Sequence, residues 1–212
     1  ASITKIMTLL LTFEAIDEGR LSLDQTVSCS EHAASMGGSQ IWLEPGEEMT
    51  LSDIIKGAAV NSANDCAMVL AETVGGSEEG FVEMMNRKAQ ELHMTGTHFE
   101  NPTGLDADGH LSTARDIAIM SAELLRHKKA AEYPSIWMDS LRNGETALVN
   151  TNKLVRFYDG TTGLKTGSTN AAGYCISATA ERDGMELIAV ILKGKTSAER
   201  FQDAQSLLNY GF

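Results

Sequence analysis

Between Ile3 and Glu18 the chain spells a helix with almost no polar side. Ile6, Met7, Leu9, Leu10, Leu11, Phe13 and Ile16 cover most of its circumference, and Gly19 ends it. A helix that is apolar nearly all round is a central one, wrapped by other elements. Any fold for this chain is therefore built around its first turns. The chain opens directly into that helix, with no initiator methionine, leading strand or signal peptide before it. With 212 residues, and domains of roughly 100–200 residues, a single domain is expected. It is long enough to bury a core without disulfide or metal staples. No apolar run approaches the ~20 residues of a membrane-crossing helix.

Charge and thiols exclude several function classes. A formal net charge of −12 argues against nucleic acid as a partner, because phosphate contacts need clustered cations. Cys29, Cys66 and Cys175 are too few for a disulfide framework and lack zinc-ligand spacing, so three buried thiols are expected. His32, His93, His98, His110 and His127 show no metal-ligand spacing, and no Gly-rich phosphate loop occurs. No metal or organic cofactor is implied.

Capping signals and periodicity place the other elements. Residues 20–50 carry Gly37-Gly38 and Pro45-Gly46 and read as loops with short strands. Thr50 with Asp53 caps a helix over 51–59, followed by helices over 65–74 and 78–92. The stretch from Thr95 to Leu111 is loop, and Thr113 with Asp116 starts a helix reaching about His127. The last third changes character. Residues 171–182 and 185–193 are strand-like, and Asp183-Gly184 between them is a type I′ hairpin signal. Thr196 and Glu199 box the start of a final helix, 197–210.

Three short motifs lie in order along this frame: Ser2-Ile3-Thr4-Lys5, Ser62-Ala63-Asn64 and Lys165-Thr166-Gly167. At average composition, Lys-Thr-Gly occurs by chance roughly 0.05 times in a chain this long, the other two patterns roughly 0.5–1 times each. Serine and lysine three apart on a helix share a face. A serine hydroxyl is a weak nucleophile that needs an adjacent base. Lysine is that base only when neutral, which requires its pKa to fall by roughly 3 units. An apolar wall and a second cation both push it down, and Lys165 is the candidate cation. Read alone, the same pair also suits an N-cap serine followed by an ordinary surface lysine.

The ordered triplet resembles the signature of penicillin-binding proteins and serine β-lactamases. ASITKIMT, NSANDCA, FENPTGLDADGH, STARDIAIMS, GLKTGST, AAGYCISATAERDGMELIAVILKG and ERFQDAQSLLNYGF extend the likeness over almost the whole chain, to the low-molecular-mass D-alanyl-D-alanine carboxypeptidases. The resemblance implies an α/β (α+β) fold of the β-lactamase/transpeptidase type, with an antiparallel sheet flanked by helices and an all-helical lobe. Residues 1–212 would form one catalytic domain, the lobe covering about 20–150 and the sheet with the C-terminal helix about 151–212. Ser2 would be acylated, Lys5 would take its proton, and Ser62 would pass a proton to the leaving amine. Asn64 would hold Lys5 and the substrate amide. Lys165, Thr166 and Gly167 would bind the terminal carboxylate, with Arg200 nearby; an exposed helix arginine is the other reading of Arg200. The backbone N–H groups of Ser2 and Ser168 would form the oxyanion hole.

The implied reaction is removal of the terminal D-alanine from peptidoglycan stem peptides, outside the cytoplasmic membrane, with β-lactams as covalent inhibitors. A serine β-lactamase and a catalytically inert penicillin-binding fragment are the rivals. No Glu-x-x-Leu-Asn segment, the mark of one β-lactamase class, lies between the second and third motifs: Glu123, Glu132 and Glu145 all lack the Leu-Asn. The resemblance also implies strands before the serine, a second β-rich domain and an anchoring helix. This chain is therefore expected to have a sheet short of its N-terminal strands, with membrane anchoring left to segments it lacks.

Overall fold

The computed structural model describes residues 1–212, and the first helix is its axis. A 3₁₀ turn, Ser2–Thr4, leads into α1, Lys5–Asp17, and every residue from Ile3 to Phe13 is buried. The two threonines of α1 keep their hydroxyls bonded inside this apolar surround. Thr8 donates to the Pro102 carbonyl at 2.7 Å, and Thr12 to the Thr8 carbonyl at 2.8 Å.

After α1 come β1 (Thr26–Ser28), the one-turn α2 (Glu31–Ala34) and β2 (Glu48–Thr50), with β1 and β2 paired antiparallel. Next follow α3 (Leu51–Val60), α4 (Asn64–Gly75), α5 (Glu78–Glu91) and α6 (Ala114–Leu125), all of which touch α1. The caps are those that the sequence announces. The hydroxyls of Thr50 and Thr113 accept from the amides of Asp53 and Asp116 at 3.2 and 3.1 Å. Gly76 closes α4 in the left-handed conformation, φ +80°.

One region departs from the sequence reading. Residues 138–149 form a hairpin, β3 (Met138–Leu141) and β4 (Thr146–Val149), followed by the short helix α7 (Leu154–Phe157). Only Leu141 and Leu148 of the two strands are buried, so the apolar alternation that announces a strand is almost absent.

The larger sheet comes late and is antiparallel in the order β5-β6-β7, from Thr161–Thr169, Gly173–Arg182 and Met185–Gly194. Asp183 and Gly184 join β6 to β7 with φ of 51° and 79°, the two positive values a type I′ turn needs. Helix α8, Ser197–Gly211, covers one face and α6 the other. Alternate residues of β6 serve the two sides. Ile176, Ala178 and Ala180 pack in a cluster with Phe201 and Leu208 of α8, whereas Ser177 shares a 2.7 Å hydrogen bond with Ser121 of α6. No helix is long and apolar enough to cross a membrane. All three cysteines are buried and free.

Candidate active site

The three sequence motifs converge where the start of α1, the α3–α4 connection and β5 meet. Lys5, the first residue of α1, is wholly buried. Its Nζ lies 2.7 Å from Ser2 Oγ, 3.0 Å from the Thr103 carbonyl and 3.5 Å from Ser62 Oγ. Nζ donates to all three oxygens here. Once deprotonated, the amine has a lone pair able to take the Ser2 proton across the 2.7 Å contact. Burial holds the Lys5 pKa well below that of a free lysine, and the nearby Lys165 ammonium pushes it down further.

Ser62 stands between the two lysines. Lys165 Nζ donates to Ser62 Oγ at 2.9 Å and to the Thr166 carbonyl at 2.9 Å. Ser62 sits at φ +59°, an uncommon conformation for a residue with a side chain, in the short break between α3 and α4. Strain of this kind is found where a side chain must be aimed. Lys165 is also buried, and its pKa falls to about 7, through burial first and the Arg200 guanidinium second. Both amines thus have lowered pKa values, burial being the first cause in each.

Strand β5 delivers the third motif because its residues alternate between faces. Thr166 is buried, its hydroxyl donating to Thr151 Oγ1 at 2.7 Å. Ser168, next beyond Gly167, is exposed. Arg200, in the first turn of α8, is buried and lies over the Tyr174 and Phe201 rings at 5.5 and 4.5 Å. That burial rules out the exposed-arginine reading. Its Nε has no partner, while one terminal nitrogen donates to Ser197 Oγ at 2.9 Å. The bond from Lys5 to Asn64 that the resemblance implies is not formed. Asn64 donates instead to the Gly37 carbonyl at 2.8 Å, and its buried Oδ1 has no partner.

Two glycines grip the backbone that carries Ser2. A Cβ on Gly167 would lie 2.5 Å from the Ser2 amide nitrogen, and one on Gly104, at φ +90°, would lie 1.9 Å from the Ala1 carbonyl oxygen. Gly104 and Thr103 carry no catalytic signature and were invisible to the motif reading. Only the three-dimensional approach of the 101–105 loop to the 3₁₀ turn shows why they matter. Asn101 Oδ1 fixes that loop by accepting from the amides of Thr103 and Gly104 at 3.2 and 2.8 Å. Gly104→Ala is expected to push the turn aside. Misplacing a reacting group by ~1 Å costs about 100-fold. Adduct formation with penicillin, followed by intact mass, should slow by about that factor; an unchanged rate would show that the turn tolerates the shift.

His110 is structural support. Its Nδ1 accepts from the Glu100 amide at 2.9 Å, so the proton is on Nε2, which lies 2.7 Å from Thr4 Oγ1. Burial drops its pKa to about 4 and keeps the ring neutral.

Comparisons with known proteins identify the family. The family model described as D-alanyl-D-alanine carboxypeptidase matches residues 1–196. DacF of Bacillus subtilis, a D-alanyl-D-alanine carboxypeptidase, is 48% identical over 100% of this chain and 55% of its own length. DacC of Escherichia coli is 36% identical over 100% of this chain and 54% of its own. The chain thus spans about half the length of the curated relatives it matches. Among solved structures, penicillin-binding protein 5 from Haemophilus influenzae superposes with a TM-score of 0.95 at 31% identity, covering 100% of this chain and 63% of that one. Penicillin-binding protein D2 from Listeria monocytogenes, in its ampicillin-bound form, gives 0.85 at 32% identity, covering 100% and 86%. With the family model spanning nearly its whole length and a carboxypeptidase relative nearly half identical, this chain belongs to the D-alanyl-D-alanine carboxypeptidase family, peptidase S11.

Proposed function

We propose that the chain is the catalytic part of a serine-type D-Ala-D-Ala carboxypeptidase. It removes the terminal D-alanine from peptidoglycan stem peptides outside the cytoplasmic membrane, and β-lactams acylate it. The observation that carries this reading is the buried Lys5 amine 2.7 Å from Ser2 Oγ, with Lys165 one serine away. Ser2 Oγ attacks the carbonyl carbon of the penultimate D-alanine as Lys5 takes its proton. The oxyanion is met by the backbone N–H groups of Ser2 and Ser168. The C–N bond then breaks, and the leaving amine receives a proton through Ser62. Asn64 Oδ1 accepts from the substrate amide. Lys165, Thr166, Gly167 and the Arg200 field hold the terminal carboxylate. Water then cleaves the Ser2 ester and regenerates the hydroxyl. Steady release of free D-alanine from an N-acyl peptide ending in D-Ala-D-Ala tests the reading, and no release above the spontaneous rate would refute it.

The pH dependence follows from the two amines. Acylation needs Lys5 neutral, so it is lost as pH falls through the lowered Lys5 pKa. Carboxylate binding needs Lys165 charged, so it weakens as pH rises past about 7. Lys165→Ala removes the cation that depresses Lys5. The acid limb of the acylation profile should therefore move upward, while acylation weakens. Unchanged midpoints in the profile would remove the electrostatic role from Lys165.

A further inference from the structure

Trp42 is 72% exposed, and its backbone sits at φ +60°, where a bulky residue is strained. That conformation is held from two sides. Asp65, wholly buried, accepts from the amides of Ile41 and Leu43 at 3.2 and 2.9 Å, the residues flanking Trp42. Arg142 donates to the Ile41 and Trp42 carbonyls at 2.8 and 3.3 Å. It is itself fixed by hydrogen bonds of 2.7 and 3.0 Å to the Glu47 carboxylate. A buried carboxylate and an anchored guanidinium thus turn an indole outward, where the core gains nothing from it. An aromatic side chain held out on a strained backbone is a contact surface for something else.

The location says what that something is. The loop that carries Trp42 starts at the cleft. Asn64 donates its amide to the Ser39 carbonyl at 2.7 Å and its side chain to Gly37, and Gly38 lies against Asn64 and Leu105. Trp42 is three residues beyond Ser39, at most about 11 Å along the chain. An extended stem peptide of about five residues spans up to ~17 Å. With its C-terminal end at Ser2, a peptide of that length can carry the sugar at its other end as far as the Trp42 loop extends from its contact with Asn64. Beside the indole runs a shallow groove of about 490 Å³, lined by Glu31 and Ser35 as well as Glu44 and Pro45. Glu31 and Glu44 take part in no ion pair within the chain, so their carboxylates are open acceptors.

Resting on the peptidoglycan reading above, we infer that Trp42 and this groove bind an N-acetylhexosamine ring of the glycan strand. The apolar face of the pyranose lies on the indole, and its hydroxyl and amide N–H groups donate to Glu31 and Glu44. A neutral sugar suits a chain whose −12 charge repels anions. Trp42 thereby lets the enzyme favour peptide attached to glycan over free peptide.

The test is calorimetric titration of the intact chain with tri-N-acetylchitotriose, paired with kinetics on two substrates. Saturable binding is expected in the unaltered chain and in Trp137→Phe, a change at the other tryptophan, whose ring packs against Phe157 and not beside this groove. It should be lost in Trp42→Gly, which folds without hindrance because glycine is at ease at positive φ, and largely kept in Trp42→Tyr. In Trp42→Gly, kcat/KM should fall about tenfold more on a disaccharide pentapeptide than on an acylated tripeptide without sugar. Equal loss on both substrates would assign Trp42 to the peptide and overturn the inference, as would the absence of saturable sugar binding. The titration needs no turnover, so it decides the sugar question even for a chain that cleaves neither substrate.

Discussion

Ser2→Ala should abolish the penicillin adduct. Intact-mass measurement of the unaltered chain is expected to show the mass of one penicillin added, and the variant none. The effect should be on the order of 10⁴-fold or more, because removing a nucleophile takes away the bond-forming atom itself. The two serines nearest in role cannot replace it. Ser62 already accepts a hydrogen bond from Lys165 and is held at φ +59°, 95% shielded from solvent. Ser168 is exposed on β5, with no amine bonded to its hydroxyl. The fold should survive the change. Lys5 loses one of three neighbours but keeps the Thr103 carbonyl at 3.0 Å and Ser62 at 3.5 Å, so the stability cost is of the order of ~1 kcal/mol. An adduct that persists in the variant, carried on Ser62 or Ser168, would overturn the nucleophile assignment.

What the sequence makes legible here is local or repeated along the chain. The all-apolar first helix demanded a central position, and it occupies one. The capping threonines 50, 113 and 196 and the Asp183-Gly184 turn are short-range signals, and each ends or starts an element where the chain itself requires it. The three motifs name Ser2, Lys5, Ser62 and Lys165, which the structure links in one chain of hydrogen bonds, and Asn64, which it bonds to Gly37 instead. What stayed hidden acts through backbone or through distant packing. Thr103 contributes only a carbonyl, and Gly104 matters because a neighbouring turn passes where its Cβ would be. Asp65 follows the second motif directly, yet its role is to hold residues 41 and 43 of a loop that sequence leaves unassigned. The β3–β4 hairpin buries too few side chains to show a period-two pattern, although its Asn143-Gly144 step is a turn signal.

The penicillin acyl-enzyme should persist for minutes or longer while a D-Ala-D-Ala peptide turns over. Deacylation needs a water against the ester carbonyl and a base to activate it. After a peptide acylates Ser2, free D-alanine departs and leaves room for that water. After penicillin does so, the leaving group stays tethered and fills the same space. A β-lactamase escapes by bringing water from another side with a dedicated glutamate. The carboxylates near this site are engaged elsewhere: Asp65 is buried and accepts from the amides of Ile41, Leu43 and Cys66, and Asp106 is bonded to Thr169 at 2.8 Å. Glu123 bonds Arg126 at 3.3 Å on α6, and Glu132 and Glu145 are exposed outside the cleft. The bases at hand are the two lysines; Lys5 is free again once the Ser2 proton has passed through Ser62 to the leaving nitrogen, but the tethered leaving group keeps water from the position between Lys5 and the ester. Each 1.4 kcal/mol of lost transition-state stabilisation is about tenfold in rate, and a positioned general base is worth about 10²–10⁴-fold. Deacylation of the penicillin adduct should lag peptide turnover by that margin, read as decay of the adduct mass after excess drug is removed. Rapid multiple turnover of penicillin with no visible adduct would place a deacylating base in this cleft and make the chain a β-lactamase in action.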